Sequence, residues 1–320
     1  GKPIMTPDAG AFWRVISEHR VKALFTAPTA FRAIKKEDPE GKLAAQYDLT
    51  CLTTIFAAGE RLDPPTYDWL SETYKVPVLD HWWQTETGWA IAANMHGLES
   101  MPVKAGSSTK PVPGFNVQIL DENGNQLPAN TQGYISIKLP LPPSSLTSIW
   151  GDSGRFKSAY LDAYSGYFST GDGGYFDDDG YLFIMGRVDD VINVAGHRLS
   201  TGEMEEILGK HPMVAECAVI GRHDALKGQM PMGFVVLKNT ANQGPDHVQI
   251  VKELVAMVRE QIGAVAAFKE AYVVARLPKT RSGKILRKTL RSMVDGEEYQ
   301  VPSTIDDPAS LDEIKALISG

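Results

Sequence analysis

The sequence has very few cysteines and no long uncharged hydrophobic run. Its two cysteines, Cys51 and Cys217, are far apart and form no CxxC pair, which argues against a disulfide scaffold or a cysteine zinc site and favours a reducing compartment. No apolar stretch approaches the roughly 20 residues that span a bilayer, and the first residues lack the apolar core of a secretory signal. These absences predict a cytoplasmic protein with no membrane partner.

The chain also lacks an excess of basic charge. Its 32 lysines and arginines are outnumbered by 39 aspartates and glutamates, which gives a formal net charge of −7. Binding of nucleic acid without sequence preference needs a basic surface, so we expect no nucleic-acid partner. With 43% hydrophobic and 22% charged residues, the composition is that of a globular protein, and the length fits about two domains.

Three familiar ligand-binding motifs are missing. The segment RSGKI around Lys284 contains Gly-Lys, but a P-loop needs glycine at position 278 and Ser or Thr at 285, where the chain has Pro278 and Ile285. No GxGxxG follows a predicted strand, so nothing supports a nicotinamide dehydrogenase. The aspartates of FDDDG lack the alternate spacing and the closing glutamate of a calcium EF-hand, so a turn is the better interpretation.

The pattern of the chain changes twice. Up to residue 106, amphipathic helices alternate with short apolar strands, which predicts an α/β layer with parallel strands. Residues 107–188 contain alternating segments and the turn signals Asn123-Gly124 and Asp179-Gly180, which predict an antiparallel, barrel-like subdomain. Residues 189–297 mix strands and helices, one of them started by a capping box of Ser200 and Glu203, and predict an α+β domain. Residues 298–320 are predicted to form an acidic tail with one short helix.

Several polar segments carry candidate chemistry, and the first is DHWWQTETGW. It follows a predicted strand, and in open α/β sheets ligands bind beyond the carboxyl ends of strands. Gln84, Thr85 and Thr87 offer neutral donors there, Glu86 a carboxylate that could hold a metal near phosphates, and the tryptophans an apolar wall. An aromatic core edge followed by a polar turn explains the same segment equally well.

Four further segments admit both a binding and a structural interpretation. Asp172 in STGDGGY, after a Thr-Gly turn, could accept two hydrogen bonds from a ribose diol, or the segment could be a hairpin turn. The arginines of GRVDDVINVAGHRLS suit phosphate or ribose, or a salt-bridged linker. In FAAGER a predicted strand ends at a glycine, where the absence of a side chain would let the backbone approach a neighbouring group or ligand closely. PKTRSGKILRK presents Lys284 either as a solvated surface residue or as a phosphate or carboxylate ligand.

Taken together, WWQTETG, YFSTGD, GRVDDVINVAGHR and PKTRSGK resemble, in their order and separations, the adenylate-forming acyl-CoA synthetases, most closely their short-chain branch. This resemblance implies the C-terminal part of a large α/β domain with a barrel-like subdomain, followed by a small mobile α+β domain. It also implies two reactions. ATP and a carboxylate give an acyl-adenylate and pyrophosphate, and after the small domain rotates, CoA attacks to give the thioester and AMP.

The resemblance also implies a role for each candidate residue. Lys284 is similar to the adenylation lysine, which bridges the carboxylate and the α-phosphate and offsets negative charge in the transition state, and Asp189 is similar to the hinge of the rotation. Thr85 is expected on phosphate, Arg198 near phosphate, and Glu86 near Mg²⁺. The other expected nucleotide contacts are Gly59, Glu60, Arg61, Asp80, His81, Trp82, Gln84, Asp172 and Arg187. The expected CoA contacts are Ala27, Ala195, Gly196 and Arg259.

The expected acid follows from two positions. Trp83 resembles the tryptophan that closes the acyl pocket of the short-chain branch and leaves room for two or three carbons. Ala58 stands where acetate-activating relatives usually carry valine, so we expect propionate to be preferred over acetate, by only about 1–3 kcal/mol. An acetate-activating enzyme and a non-catalytic fragment that binds nucleotide or CoA remain open alternatives. GER in place of the usual GEP leaves the role of Arg61 open.

The largest departure from the family is the absence of its Ser/Thr/Gly-rich phosphate loop. We therefore expect this chain to be the C-terminal half of a longer enzyme, with little or no adenylation activity alone. The basic loop also suggests that lysine-acylating and deacylating enzymes act on Lys284, because acylation would remove its charge.

Overall fold

The computed structural model describes residues 4, 7–238, 246–281 and 283–319, except for the side chains of residues 189, 198 and 319. The chain divides into two compact units, Gly1–Val188 and Asp189–Gly320. Each unit has its own buried apolar clusters. The finer division of the chain into four segments stays a prediction. In the part of the chain that the structure describes, no helix is long and apolar enough to cross a membrane.

The first unit begins with a parallel α/β layer, as predicted. Its elements are α1 (Ala11–His19), β1 (Ala23–Thr26), α2 (Pro28–Glu37), β2 (Thr54–Ala57), α3 (Pro64–Tyr74) and β3 (Val78–Asp80). The strands pair in parallel in the order β1-β2-β3. Trp13, Phe31, Ile55 and Leu70 are fully buried in one cluster, which joins the three helices to the sheet.

The remainder of the first unit is antiparallel. Its elements are β4 (Trp82–Trp83), β5 (Ala90–Ala93), β6 (Lys110–Pro111), β7 (Asn116–Leu120), β8 (Gly133–Lys138), α4 (Ser153–Tyr160), β9 (Tyr167–Phe176) and β10 (Leu182–Arg187). They form two sheets, β4-β5-β6 and β10-β9-β8-β7. Trp82 and Ile91 of the first sheet share a buried cluster with Ile119, Ile137 and Phe168 of the second. The antiparallel pairing predicted for residues 107–188 is confirmed, and β4 and β5, which precede that range, share its core.

The second unit is an α+β layer with helices on both faces of one sheet. Its elements are β11 (Ile192–Val194), β12 (His197–Leu199), α5 (Thr201–Gly209), β13 (Val214–Asp224), β14 (Gly228–Leu237), α6 (His247–Gln261), β15 (Ala271–Val273), α7 (Arg287–Val294) and α8 (Ala309–Ser319). The sheet runs β12-β11-β14-β13, and β15 joins β14 in parallel.

In the long strands β13 and β14, successive side chains point to opposite faces of this sheet, because a β-strand is pleated. Val235 packs with the cluster that includes α5 and α6, whereas Phe234 packs with the cluster that includes α7 and α8. Leu311 and Ile314 of α8 are buried in the second of these clusters. The segment that was predicted as a tail therefore contributes to the core of the unit.

Three local predictions differ from the structure. VPVLDHWW, predicted as one strand, breaks at His81 into β3 and β4, which belong to different sheets. The turn at Asn123-Gly124 is closed by Asp121, whose N–H donates to Asn125 O at 2.8 Å, but the long partner of β7 is β8, which starts further on. The segment 186–200 is not a plain linker, because it forms the β11–β12 hairpin.

Candidate active site

The strongest convergence of predicted site residues surrounds Asp172. This residue is buried inside β9 and does not follow a turn, which corrects that part of the prediction. Its Oδ2 accepts hydrogen bonds from Trp82 Nε1 at 3.0 Å and from Gln84 Nε2 at 2.7 Å. Two motifs that are distant in sequence therefore meet at one carboxylate.

Arg187 completes this group from the neighbouring strand. It lies opposite Asp172 in the register of β9 and β10, and its Nη1 is 3.8 Å from Asp172 Oδ1. The same Nη1 donates to Thr170 O at 3.2 Å, and Gln84 Nε2 donates to that oxygen at 2.8 Å. The side chain of Arg187 is 47% exposed, so the guanidinium keeps access to solvent and to a ligand.

Sequence reasoning missed the part that Gly171 plays in this arrangement. Gly171 has a φ of +69°, and a Cβ added there would lie 2.8 Å from Arg187 Nη2. A side chain at 171 would thus displace the guanidinium that sits beside Asp172. The Thr-Gly pair was visible in the sequence, but it was interpreted as a turn.

The predicted phosphate residues lie in a short 3₁₀ helix, Thr85–Thr87. Thr87 is fully buried, and its Oγ1 accepts the N–H of Gln84 at 3.2 Å. Its hydroxyl can donate to Gln84 O or to Trp89 O, each at 2.9 Å, so Thr87 closes the turn and offers no donor to a ligand, contrary to our expectation. Thr85 is exposed and remains available.

Glu86 is held by a tyrosine that the sequence did not identify. Tyr160, at the end of α4, donates its hydroxyl to Glu86 Oε1 at 2.8 Å and stacks on Phe168 at 5.1 Å between ring centroids. Within the described residues, no group of three or more His, Cys, Asp or Glu side chains could hold a metal. One carboxylate suffices for Mg²⁺ when substrate phosphates and water supply the other oxygens, so Glu86 fits a metal that arrives with a nucleotide.

Asp80, which is buried, and His81, which is half-buried, lie at the carboxyl end of β3. Burial raises the pKa of Asp80 to about 8, and the N–H groups of Leu62 and His81 and the charge of Arg61 offset only part of that effect. Burial also lowers the pKa of His81. Among the described residues, Asp80 Oδ1 and His81 Nδ1 are buried with no hydrogen-bond partner.

The loop of Gly59, Glu60 and Arg61 is tied to the start of α2. Glu60 Oε1 accepts hydrogen bonds from Arg32 Nη2 at 2.6 Å and from the N–H of Thr29 at 2.8 Å. Arg32 was not predicted, because no sequence pattern connects it to Glu60. Gly59 has a φ of +102°, and a Cβ added there would meet nothing within 4 Å, so the turn rather than a close approach within this chain favours glycine.

Three other predicted residues lie in the first unit. Ala27 is the N-cap residue of α2 and lies in an extended conformation. Of the two predicted pocket residues, Ala58 is buried and Trp83 is 40% exposed.

The remaining predicted residues belong to the second unit. Lys284 is exposed, in a turn that is closed by the hydrogen bond of Thr280 N to Lys284 O at 2.8 Å. Ala195 and Gly196 are exposed and form the two-residue turn between β11 and β12, with φ of +49° and +88°. Arg259 lies in the last turn of α6. The side chains of Asp189 and Arg198 lie outside the described residues.

Comparison with known proteins identifies the class. The family model of the AMP-binding enzymes matches residues 2–142, and the model of the AMP-binding enzyme C-terminal domain matches residues 203–284. The chain therefore belongs to the AMP-binding enzymes, as the motifs predicted.

Its relatives include short-chain acyl-CoA synthetases. The chain is 50% identical over 319 residues to acyl-CoA synthetase short-chain family member 3, mitochondrial, of Bos taurus, with 99% of this chain and 46% of that protein aligned. It is 45% identical over 314 residues to propionate–CoA ligase of Escherichia coli K12, with 97% and 50% aligned. The chain thus spans about half the length of these curated relatives.

A solved structure supports the fold. The crystal structure of an anthranilate CoA ligase in complex with anthranoyl-AMP superimposes with a TM-score of 0.76 at 29% identity, covering 89% of this chain and 52% of that one.

Proposed function

We propose that this chain takes part in the ATP-dependent ligation of propionate to CoA through an acyl-adenylate. The observation that carries the proposal is the group of Asp172, Trp82, Gln84 and Arg187, which joins three of the predicted nucleotide motifs in one place. Asp172 binds the ribose hydroxyls, because a carboxylate offers paired acceptors and its hydrogen bonds from Trp82 and Gln84 fix its orientation. Arg187 lies beside the same ribose.

The reaction has two steps that balance. A carboxylate oxygen of propionate attacks the α-phosphorus of ATP, and the bond to the β-phosphate breaks to release pyrophosphate. The thiol of CoA then attacks the acyl carbon, its proton passes to solvent, and AMP leaves. Lys284 offsets the charge that develops at the α-phosphate in the first step, with Thr85 and Arg198 on phosphate. Glu86 would hold Mg²⁺, which would neutralise phosphate charge when it is bound.

The remaining residues bind and position the other groups. Ala58 and Trp83 line the acyl pocket, and Asp189 is the hinge. The adenine side is formed by Gly59, Glu60 and Arg61, and Asp80 and His81 belong to the nucleotide loop. The CoA side is formed by Ala27, Ala195, Gly196 and Arg259. We place the reaction in the cytoplasm, although one relative is named as mitochondrial, and we propose Lys284 as a target of acylating and deacylating enzymes.

Propionate is proposed over acetate for two reasons. The relative from Escherichia coli is named propionate–CoA ligase. Ala58 is also smaller than the valine expected in acetate-activating relatives, and the extra methylene of propionate occupies the difference. A methylene changes the discrimination by only about 1–3 kcal/mol, so acetate should still react slowly.

Nucleotide binding by the 320-residue chain is the direct test. We expect AMP to bind in isothermal titration, and Asp172→Ala to abolish the binding with little change in fold. Asp162→Ala, which replaces an exposed aspartate that lies 3.9 Å from Lys157, is the matched control. A folded chain that does not bind AMP, or an Asp172→Ala chain that binds equally well, contradicts the proposal.

Propionate-dependent exchange between ATP and pyrophosphate tests the chemistry, with acetate and butyrate alongside. We expect little or no exchange from this chain alone, and exchange led by propionate from a version that also carries the residues corresponding to the first half of the relatives. Binding of AMP or CoA without exchange by that longer version would favour a non-catalytic role. A ranking led by acetate would favour the acetate-activating alternative.

A further inference from the structure

The loop that carries Lys284 is paired with a short segment near the end of the described chain. We call that segment, residues 304–307, the C-terminal clasp. The N–H of Arg281 donates to Thr304 O at 2.9 Å, and the N–H of Asp306 donates to Lys279 O at 2.8 Å. Between these two hydrogen bonds, Thr280 and Ile305 form an antiparallel bridge. The clasp therefore acts as a partner strand for the loop.

The clasp is itself anchored to the body of the second unit. The side chain of Ile305 is buried in the same apolar cluster as Leu311 and Ile314 of α8. Asp307 Oδ1 accepts the N–H of Ala309 at 3.0 Å, at the start of that helix. The clasp is thus fixed by a buried side chain and by a helix cap.

Arg276 links the clasp to α8 a second time. Its Nη1 forms a short ion pair with Asp307 Oδ2, and its Nε donates to Glu313 Oε2 at 3.3 Å. Arg276 follows β15 and precedes the loop, so one side chain connects the entry to the loop with the clasp.

Among the loop residues that pair with the clasp, 279–281, Thr280 also contacts Lys284. The N–H of Thr280 donates to Lys284 O at 2.8 Å, and Thr280 Oγ1 accepts the N–H of Lys284 at 3.1 Å. Thr280 therefore contacts the clasp and holds the backbone of Lys284. An exposed lysine whose backbone is fixed loses less conformational entropy when it reaches a substrate than one on an unpaired loop.

We propose that the C-terminal clasp and Arg276 position Lys284 for the adenylation step. The inference rests on the role proposed above for Lys284. The family model of the C-terminal domain ends at residue 284, so the clasp lies outside the matched region. Residues that appear from sequence to be an acidic tail thus determine how well the basic loop is ordered.

The test is hydrogen exchange of the loop amides in the 320-residue chain, which needs no turnover. The quantity measured is the exchange rate of the Arg281 and Lys284 amides relative to that of amides in α6. We expect Arg276→Ala to raise this ratio severalfold and Arg276→Lys to restore part of the protection. Arg222→Ala, which breaks an ion pair with Glu270 of comparable exposure in the same unit, should leave the ratio unchanged.

A second pair of variants acts on the backbone of the clasp. Asp306→Pro removes the N–H that donates to Lys279 O, whereas Asp306→Ala keeps it. We expect only the proline variant to raise the exchange ratio and to speed tryptic cleavage after Lys284. An unchanged ratio in both Arg276→Ala and Asp306→Pro, or a rise shared equally by loop and α6, overturns the inference.

These outcomes stay separate from the proposed function. If Lys284→Gln, in the longer version of the protein, retains pyrophosphate exchange, the role of Lys284 fails, even where the clasp variants loosen the loop as expected. If Lys284 proves essential while the clasp variants leave the loop protected, only the positioning inference fails. In the longer version, clasp variants should lower kcat for adenylation. The KM for ATP should stay nearly unchanged, because Asp172 and Arg187, the proposed ribose ligands, lie in the first unit, whereas the substitutions lie in the second.

Discussion

Asp80 is buried deeply enough to stay protonated near neutral pH. Its pKa in the folded chain is about 8, whereas an unfolded aspartate titrates near 3.9. The folded protein therefore binds this proton more tightly than the unfolded one. Its contribution to stability is fully present below about pH 4 and is lost as the pH rises towards 8.

Replacement of Asp80 by asparagine should remove that dependence. We expect the free energy of unfolding of the original chain to fall between pH 5 and 8 by more than that of Asp80→Asn, because the amide has no proton to lose. Urea unfolding at several pH values measures the difference. Asp48→Asn, at an exposed aspartate whose pKa is lowered by hydrogen bonds from Thr50, is the control. Parallel pH profiles for the original chain and Asp80→Asn contradict the assignment.

Ala58 offers a prediction about the choice of acid. Valine at this buried position should fill the space assigned to the third carbon of propionate. We expect Ala58→Val to shift the ratio of kcat/KM for acetate and propionate about tenfold towards acetate, within the range for one methylene. The measurement uses the longer version of the protein, with the exposed Ala45→Val as control. An unchanged ratio would place the acyl group elsewhere.

Individual residues show which contacts a sequence motif can predict and which it cannot. Asp172 and Gln84 were each identified from their motifs, but the hydrogen bond between them depends on how two sheets share a core. Arg32 was missed because its partners Glu60 and Asp63 lie about one helix and one strand further along the chain, with no periodic relation. Glu86 was predicted from its motif, but its partner Tyr160 was not, since it lies at the end of a separate helix.

Among the elements, the pairing of β9 with β10 gives the sharpest prediction. Gly171→Ala combines an unfavourable positive φ with a clash against Arg187, whereas Gly151→Ala has a similar φ, +72°, and no atom within 4 Å of the new Cβ. Both should lose about 1–2 kcal/mol of stability from the left-handed conformation. Only Gly171→Ala should also weaken AMP binding, by displacing the arginine. Thermal unfolding and titration with AMP measure the two effects, and equal AMP affinities would contradict this role.

Many of the elements were predictable, and two that were not show what the sequence pattern lacks. Long periodic segments such as α6 and the strands β13 and β14 were found, because their apolar residues face buried clusters. The break between β3 and β4 was missed because VLDHWW is apolar on both sides of His81, and only pairing with different neighbours separates the strands. The β11–β12 hairpin was missed because its Ala195-Gly196 turn lacks the usual Asn-Gly or Asp-Gly signal.

At the scale of the whole molecule, the arrangement of the cores predicts how the chain unfolds. Every buried apolar cluster among the described residues lies within one of the two units. Residues that are buried in the same core lose their contacts together and so unfold cooperatively. Chains with separate cores commonly unfold in more than one transition. The sequence indicated a boundary near residue 188, because the pattern changes there, but it could not show that residues 304–319 complete the second core.

We therefore expect calorimetry to resolve two unfolding transitions, each responding to a different leucine. Leu70 is fully buried in the first unit and Leu254 in the second. Truncation of such a leucine to alanine costs about 2–5 kcal/mol, because it removes apolar contacts and leaves a cavity. Leu70→Ala should lower the midpoint of one transition and Leu254→Ala that of the other, so each variant is the control for its counterpart. A single transition that both variants shift together would show that the two units unfold as one. The hydrogen exchange of the clasp variants would then have to be compared with the free energy of unfolding of the whole chain.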